Sequence, residues 1–83
     1  VTDFERYIVR RFPMGGFEVN FPNGAMVSVV PDPSRLLKWE ALGVNELARD
    51  AIRVAGGGGD GLMVGLGSSD VQYLLHLVAA VEG

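Results

Sequence analysis

Cysteine is absent from this chain and histidine occurs once, at His76. No disulfide can form, and a structural zinc site, which needs four cysteine or histidine ligands, has no donor set. No metal ligands are assigned. One histidine and a few serines also leave no spacing from which a nucleophile and its base can be assembled. The ten carboxylates are scattered, and no pair stands alone in an apolar stretch, so acid–base chemistry has no visible address. The expectation is a protein that is not an enzyme and carries no cofactor. His76 is read as a polar residue on an apolar helix.

Excess positive charge is missing as well. The net charge is −3, whereas a general duplex binder gains affinity by neutralising phosphates. No duplex nucleic acid is expected as a partner. No apolar run reaches the roughly 18–20 residues that span a bilayer. The first residues already carry Asp3, Glu5 and Arg6, unlike a secretory signal. No membrane association and a cytoplasmic location are expected.

What the chain does have is glycine, twelve in 83 residues, and 48% hydrophobic residues. That length makes one domain, residues 1–83, with a thin core: a chain of this size buries only about 60–65% of its unfolded surface. With no disulfide or metal to compensate, self-association is the remaining remedy. A homo-oligomer is expected on that ground alone.

Thr2 to Phe12 reads as an N-terminal helix. Thr2 and Glu5 have capping-box spacing, Asp3 and Glu5 lie in the first turn, Arg10 and Arg11 in the last, and Pro13 ends it. A strand through Tyr7-Ile8-Val9 competes with it. Phe17, Val19 and Phe21 alternate with Glu18 and Asn20, Pro22-Asn23-Gly24 makes a turn, and Met26 to Val30 returns. That is a β-hairpin.

Asp32-Pro33 signals the start of a middle helix through Leu36, Leu37, Trp39 and Leu42, stopped by Gly43. Residues 44–55 fit either a helix capped by Asn45 or a strand; a strand at 50–55 is chosen, pairing with Leu62–Leu66 as a second hairpin. Ser69 and Gln72 repeat the capping-box spacing ahead of a terminal helix over 70–81. The fold class is α+β: a small antiparallel sheet of two hairpins with three helices. The terminal helix is apolar nearly all round, so Tyr73, Leu74 and Leu77 are the expected oligomer interface.

Gly56, Gly58 and Gly61 have dinucleotide-fingerprint spacing, but a strand-like segment follows them where the fingerprint needs a helix N-terminus, so they are read as a loop. Gly65-Leu66-Gly67-Ser68-Ser69 leads into a helix whose first turn already holds Asp70, and is read as a cap. Arg6, Arg10, Arg11 and Arg53 are the basic candidates for an anionic ligand, because arginine clamps phosphate with paired hydrogen bonds, and Arg6, Arg10 and Arg53 are chosen as the binding residues. A solvated charged face is the alternative.

The run Phe21-Pro22-Asn23-Gly24-Ala25-Met26-Val27-Ser28-Val29 resembles the F-x-N-G-x-x-V-S-V hairpin of small phage and prophage proteins. Gly65-Leu66-Gly67-Ser68-Ser69-Asp70-Val71, entering the last helix, is similar too. The anti-Thoeris family, whose members sequester cyclic ADP-ribose-type messengers, has this look. The chain departs from it after the hairpin, where Val30-Pro31-Asp32 stands in place of a polar stretch bearing glycines and aromatics. The resemblance implies a phage-type accessory, anti-defence protein in the host cytoplasm that holds a cyclic nucleotide stoichiometrically. An inhibitor of a host defence enzyme, or a small phage structural subunit, stands beside it.

Overall fold

The computed structural model describes residues 4–82. Within them the chain is α+β. A five-stranded antiparallel sheet in chain order, β1 (Ile8–Arg11), β2 (Phe17–Asn20), β3 (Met26–Pro31), β4 (Trp39–Gly43) and β5 (Leu62–Leu66), carries two helices, α1 (Glu46–Val54) and α2 (Ser68–Ala79). A 3-10 turn at Glu5–Tyr7 precedes β1.

The β2–β3 hairpin forms as expected, with Phe17 opposite Val29 and Asn20 opposite Met26. Alternation then decides the two faces of the sheet. Val19, Val27, Val29 and Ala41 are fully buried on one face, where Ile52 of α1 and Leu74, Leu75 and Val78 of α2 meet them. Their neighbours along the strands, including Glu18, Ser28, Glu40, Leu42 and Val64, point to the other face and remain partly or largely open to solvent. The core is therefore a single layer between the sheet and its helix pair.

Three of the expected elements differ. The N-terminal helix is replaced by the 3-10 turn and strand β1, which follows the competing reading through Ile8 and Val9. A bulge between Ile8 and Arg10 breaks the two-residue period that would have marked the strand. Thr2 and Asp3, on which the capping argument rested, lie outside the described residues.

The middle helix is absent. Residues 32–38 make successive tight turns, and Trp39–Gly43 pairs with both β3 and β5. The strand expected at 50–55 belongs instead to α1, whose N-cap Asn45 accepts a hydrogen bond from the Ala48 amide at 3.2 Å. Consequently β5 pairs with β4 across the inserted helix, and the second hairpin does not exist.

Close approach makes this possible at Gly43. A Cβ on that residue would fall 2.4 Å from the backbone nitrogen of Arg49, so only glycine lets α1 sit on β4. The cap of α2 is also shifted. Gly67 is the N-cap and Asp70, three residues on, accepts its amide at 3.0 Å, in place of the Ser69–Gln72 pair. No helix among the described residues is long and apolar enough to cross a membrane.

Candidate functional site

Strand polarity brings three connections to one end of the sheet: the β1–β2 loop, the β3–β4 loop, and the junction from β5 into α2. The first is folded over the end of β3, where Phe12 and Gly16 close the loop with a hydrogen bond of 3.1 Å. Gly16 adopts φ +96°, and a Cβ there would lie 2.3 Å from the Val29 carbonyl oxygen. Met14 at its tip is 93% exposed.

The β3–β4 loop is organised by one side chain. Asp32 is only 7% exposed, and its carboxylate accepts hydrogen bonds from the Ser34 amide at 2.8 Å, the Gly65 amide at 3.0 Å and the Arg35 guanidinium at 3.0 Å. These bonds hold its carboxyl below the ordinary carboxylate range. The Ser34 amide contributes most, burial opposes the shift, and the Gly65 amide and Arg35 add to the lowering. The Asp32 amide closes the same loop by donating to the Lys38 carbonyl at 2.9 Å.

What the loop displays is unusual for a soluble surface. Leu36 and Leu37 are 89% and 87% exposed, side by side. Leu37 has φ +61°, the one non-glycine residue with positive φ among those described. A leucine in that conformation costs on the order of 1–2 kcal/mol. Packing within the chain does little to offset that strain, since the Leu37 side chain is turned to solvent.

Beside this loop a cavity of about 350 Å³ opens on the helix-bearing side of the sheet. Ile8, Phe17, Val29, Trp39 and Val71 form its apolar walls. Arg11, paired with Glu5, and Ser68, Ser69 and Gln72 on the first turns of α2 supply its polar rim. Trp39 and Ser68 also line the groove under residues 31–38, so cavity and loop are continuous.

Of the basic candidates Arg11 lines this cavity, while the chosen three are not gathered here. Arg6 lies over the Tyr7 ring, 4.9 Å from its centroid, and Arg10 stands opposite Glu18 on β1. Arg53 is on α1, which packs on β3, β4, β5 and α2, and it is occupied by Asp50 and by the Gly59 carbonyl at 3.1 Å. α1 sits over the β3–β5 half of the sheet while β1 is the opposite edge strand, so the three do not share a site.

The expected oligomer interface is split as well. Leu74 is 2% exposed, turned into the chain's own core, whereas Tyr73 and Leu77 are 69% and 37% exposed beside Val54 and Ala51 in a groove between α1 and α2. His76 meets the Phe4 ring edge-on at 4.8 Å. No group of three potential metal ligands lies together among the described residues.

Sequence reasoning missed the loop end because its signals were read as helix: Asp32-Pro33 as a cap and Leu36-Leu37 as a buried face. Set against known protein families, curated proteins and solved structures, the chain matches none.

Proposed function

We propose that this protein works by stoichiometric binding of another protein, through the end of the sheet that carries Met14, Leu36 and Leu37. The observation that supports this most directly is the Leu36-Leu37 pair, exposed on a loop held by a buried carboxylate. Apolar side chains at an interface gain affinity by losing contact with water, and a stiff loop gives up little entropy on docking. Arg35 and Lys38 flank the leucines and provide the polar rim such a centre needs.

In the setting implied by the hairpin resemblance, the partner would be a host defence protein and the binder its inhibitor. A cyclic nucleotide as principal ligand is less well supported, because Arg53 is remote from Arg6 and Arg10 and already engaged. Self-association through Tyr73 and Leu77 remains compatible with this reading, since it uses a different surface.

A photo-crosslinking residue placed at Leu36, in the full chain inside its native cell, tests the proposal. A protein adduct of discrete mass is expected from position 36, lost when Leu37 is changed to Asp, and absent when the crosslinker sits at Glu46. No adduct from position 36 would overturn it. So would co-sedimentation with anionic phospholipid vesicles that the Leu37→Asp change abolishes, since the leucines would then belong to a lipid surface.

A further inference from the structure

The cavity beside the loop has a chemistry of its own. Its walls come from four strands and one helix: Ile8 from β1, Phe17 from β2, Val29 from β3, Trp39 from β4 and Val71 from α2. Phe17 and Val29 are cross-strand neighbours on the inner face, so the floor is set by sheet register rather than by a loose loop. At about 350 Å³ the space falls at the small end of the range of roughly 300–1,000 Å³ that ligand sites occupy.

The polar groups are unevenly distributed. They are Arg11 and Glu5 on one side and Ser68, Ser69 and Gln72, from the first turns of α2, on the other. Glu5 is the one acidic group in the lining, and it is bound to Arg11. The Arg11–Glu5 pair offsets the charge of both partners, but it engages Arg11 through Nη2 and is more than half exposed, therefore weak. A guanidinium carries five donors in a fork, so an entering anion can share Arg11 or displace Glu5 from it.

We infer that this cavity binds a small amphipathic carboxylate, its apolar ring against Trp39 and Phe17 and its anionic group at Arg11. An aromatic or cyclic acid carries both parts. This does not depend on the loop leucines contacting a partner, since Leu36 and Leu37 do not line the cavity.

Trp39 is the chain's single tryptophan, so its signals report on this site without labelling. The full chain is titrated with 3-phenylpropionate and, separately, with its uncharged amide, following the Trp39 indole N–H and the Ser68 and Ser69 amides by NMR. Saturable shifts at these three groups are expected, with the acid binding about tenfold more tightly than the amide, the scale of one charge-assisted hydrogen bond. Arg11→Gln should reduce affinity for the acid about tenfold and leave the amide unchanged. Arg11 is exposed, and thermal unfolding of the variant shows separately that it folds. Absence of saturable shifts at Trp39, equal affinity for acid and amide, or shifts confined to the Tyr73–Leu77 groove would each overturn the inference.

Discussion

The two ends of the sheet use their polar side chains for opposite purposes. At the end that holds the β2–β3 turn, two asparagines close the structure. Asn23 donates to the carbonyls of Val78 and Val81 at the end of α2, at 2.9 and 2.8 Å, and accepts the Ala25 amide at 2.9 Å. Asn45 donates to the Gly24 carbonyl at 2.7 Å and accepts from the Met26 and Ala48 amides at 3.2 Å. Each ties a turn to a helix terminus, where unpaired backbone groups would otherwise need water.

At the other end Asp32 is just as fully bonded, yet the loop it holds turns its leucines outward. One end is built for stability, the other for display. The difference teaches that hydrogen-bond satisfaction alone does not identify a structural loop; what the loop presents must be asked separately.

The contrast can be broken most forcefully at Gly43. Gly43→Ala puts a methyl group into the backbone of α1 and should cost about 3 kcal/mol or more, measured by urea denaturation. A fully stable variant would mean that α1 is not seated on β4. Asn45→Ala comes next. It removes a helix cap and the part-buried acceptor that Asn45 offers the Met26 amide, and a loss of about 1–2 kcal/mol is expected. Leu36→Asp, at the display end, should change stability by no more than about 0.5 kcal/mol in the same measurement. Equal losses at the two ends would erase the distinction.

Leu37→Gly sharpens it with an effect of the other sign. Glycine relieves a left-handed conformation that costs leucine on the order of 1–2 kcal/mol, at an entropic cost of about 0.5–1 kcal/mol. A net gain of up to about 1 kcal/mol is expected, together with loss of the crosslinked adduct. A destabilised variant would show that the Leu37 side chain has a packing role after all.

Legibility divides along the same line. The β2–β3 hairpin and the terminal helix were readable because their signals are local: a two-residue alternation around Asn23-Gly24, and an apolar period over Val71, Leu74, Leu75 and Val78. Strand β1 is hidden by its bulge between Ile8 and Arg10, and Arg10-Arg11 ahead of Pro13 imitates the end of a helix. Asp32-Pro33 has the signature of a helix start, but no helix follows: Asp32 accepts the Ser34 amide within a turn, and its bond to Gly65, 33 residues away, has no sequence signature. Without it, Leu36 and Leu37 look like a helix face seeking a core. The cavity was illegible for a similar reason, since register alone brings Phe17, Val29 and Trp39 to one side of the sheet.

The last effect is expected from acid, and it isolates the end of the sheet that carries the leucine loop. Because the Asp32 pKa is lowered in the folded chain, its contribution is complete above the ordinary carboxylate value of 3.8 and is lost as pH falls through the depressed value. Protonation weakens acceptance from the Ser34 and Gly65 amides and frees the loop, while the bonds of Asn23 and Asn45, which do not titrate, remain. The Ser34 and Gly65 amide shifts should therefore titrate together with a midpoint below 3.8, and the Ala25 and Ala48 amides should not follow them. Asp32→Asn should remove that titration, because an amide carries no proton to gain. A midpoint at or above 3.8 would show that the carboxylate is not held as the geometry requires, and the stiffness claimed for the leucine loop would go with it.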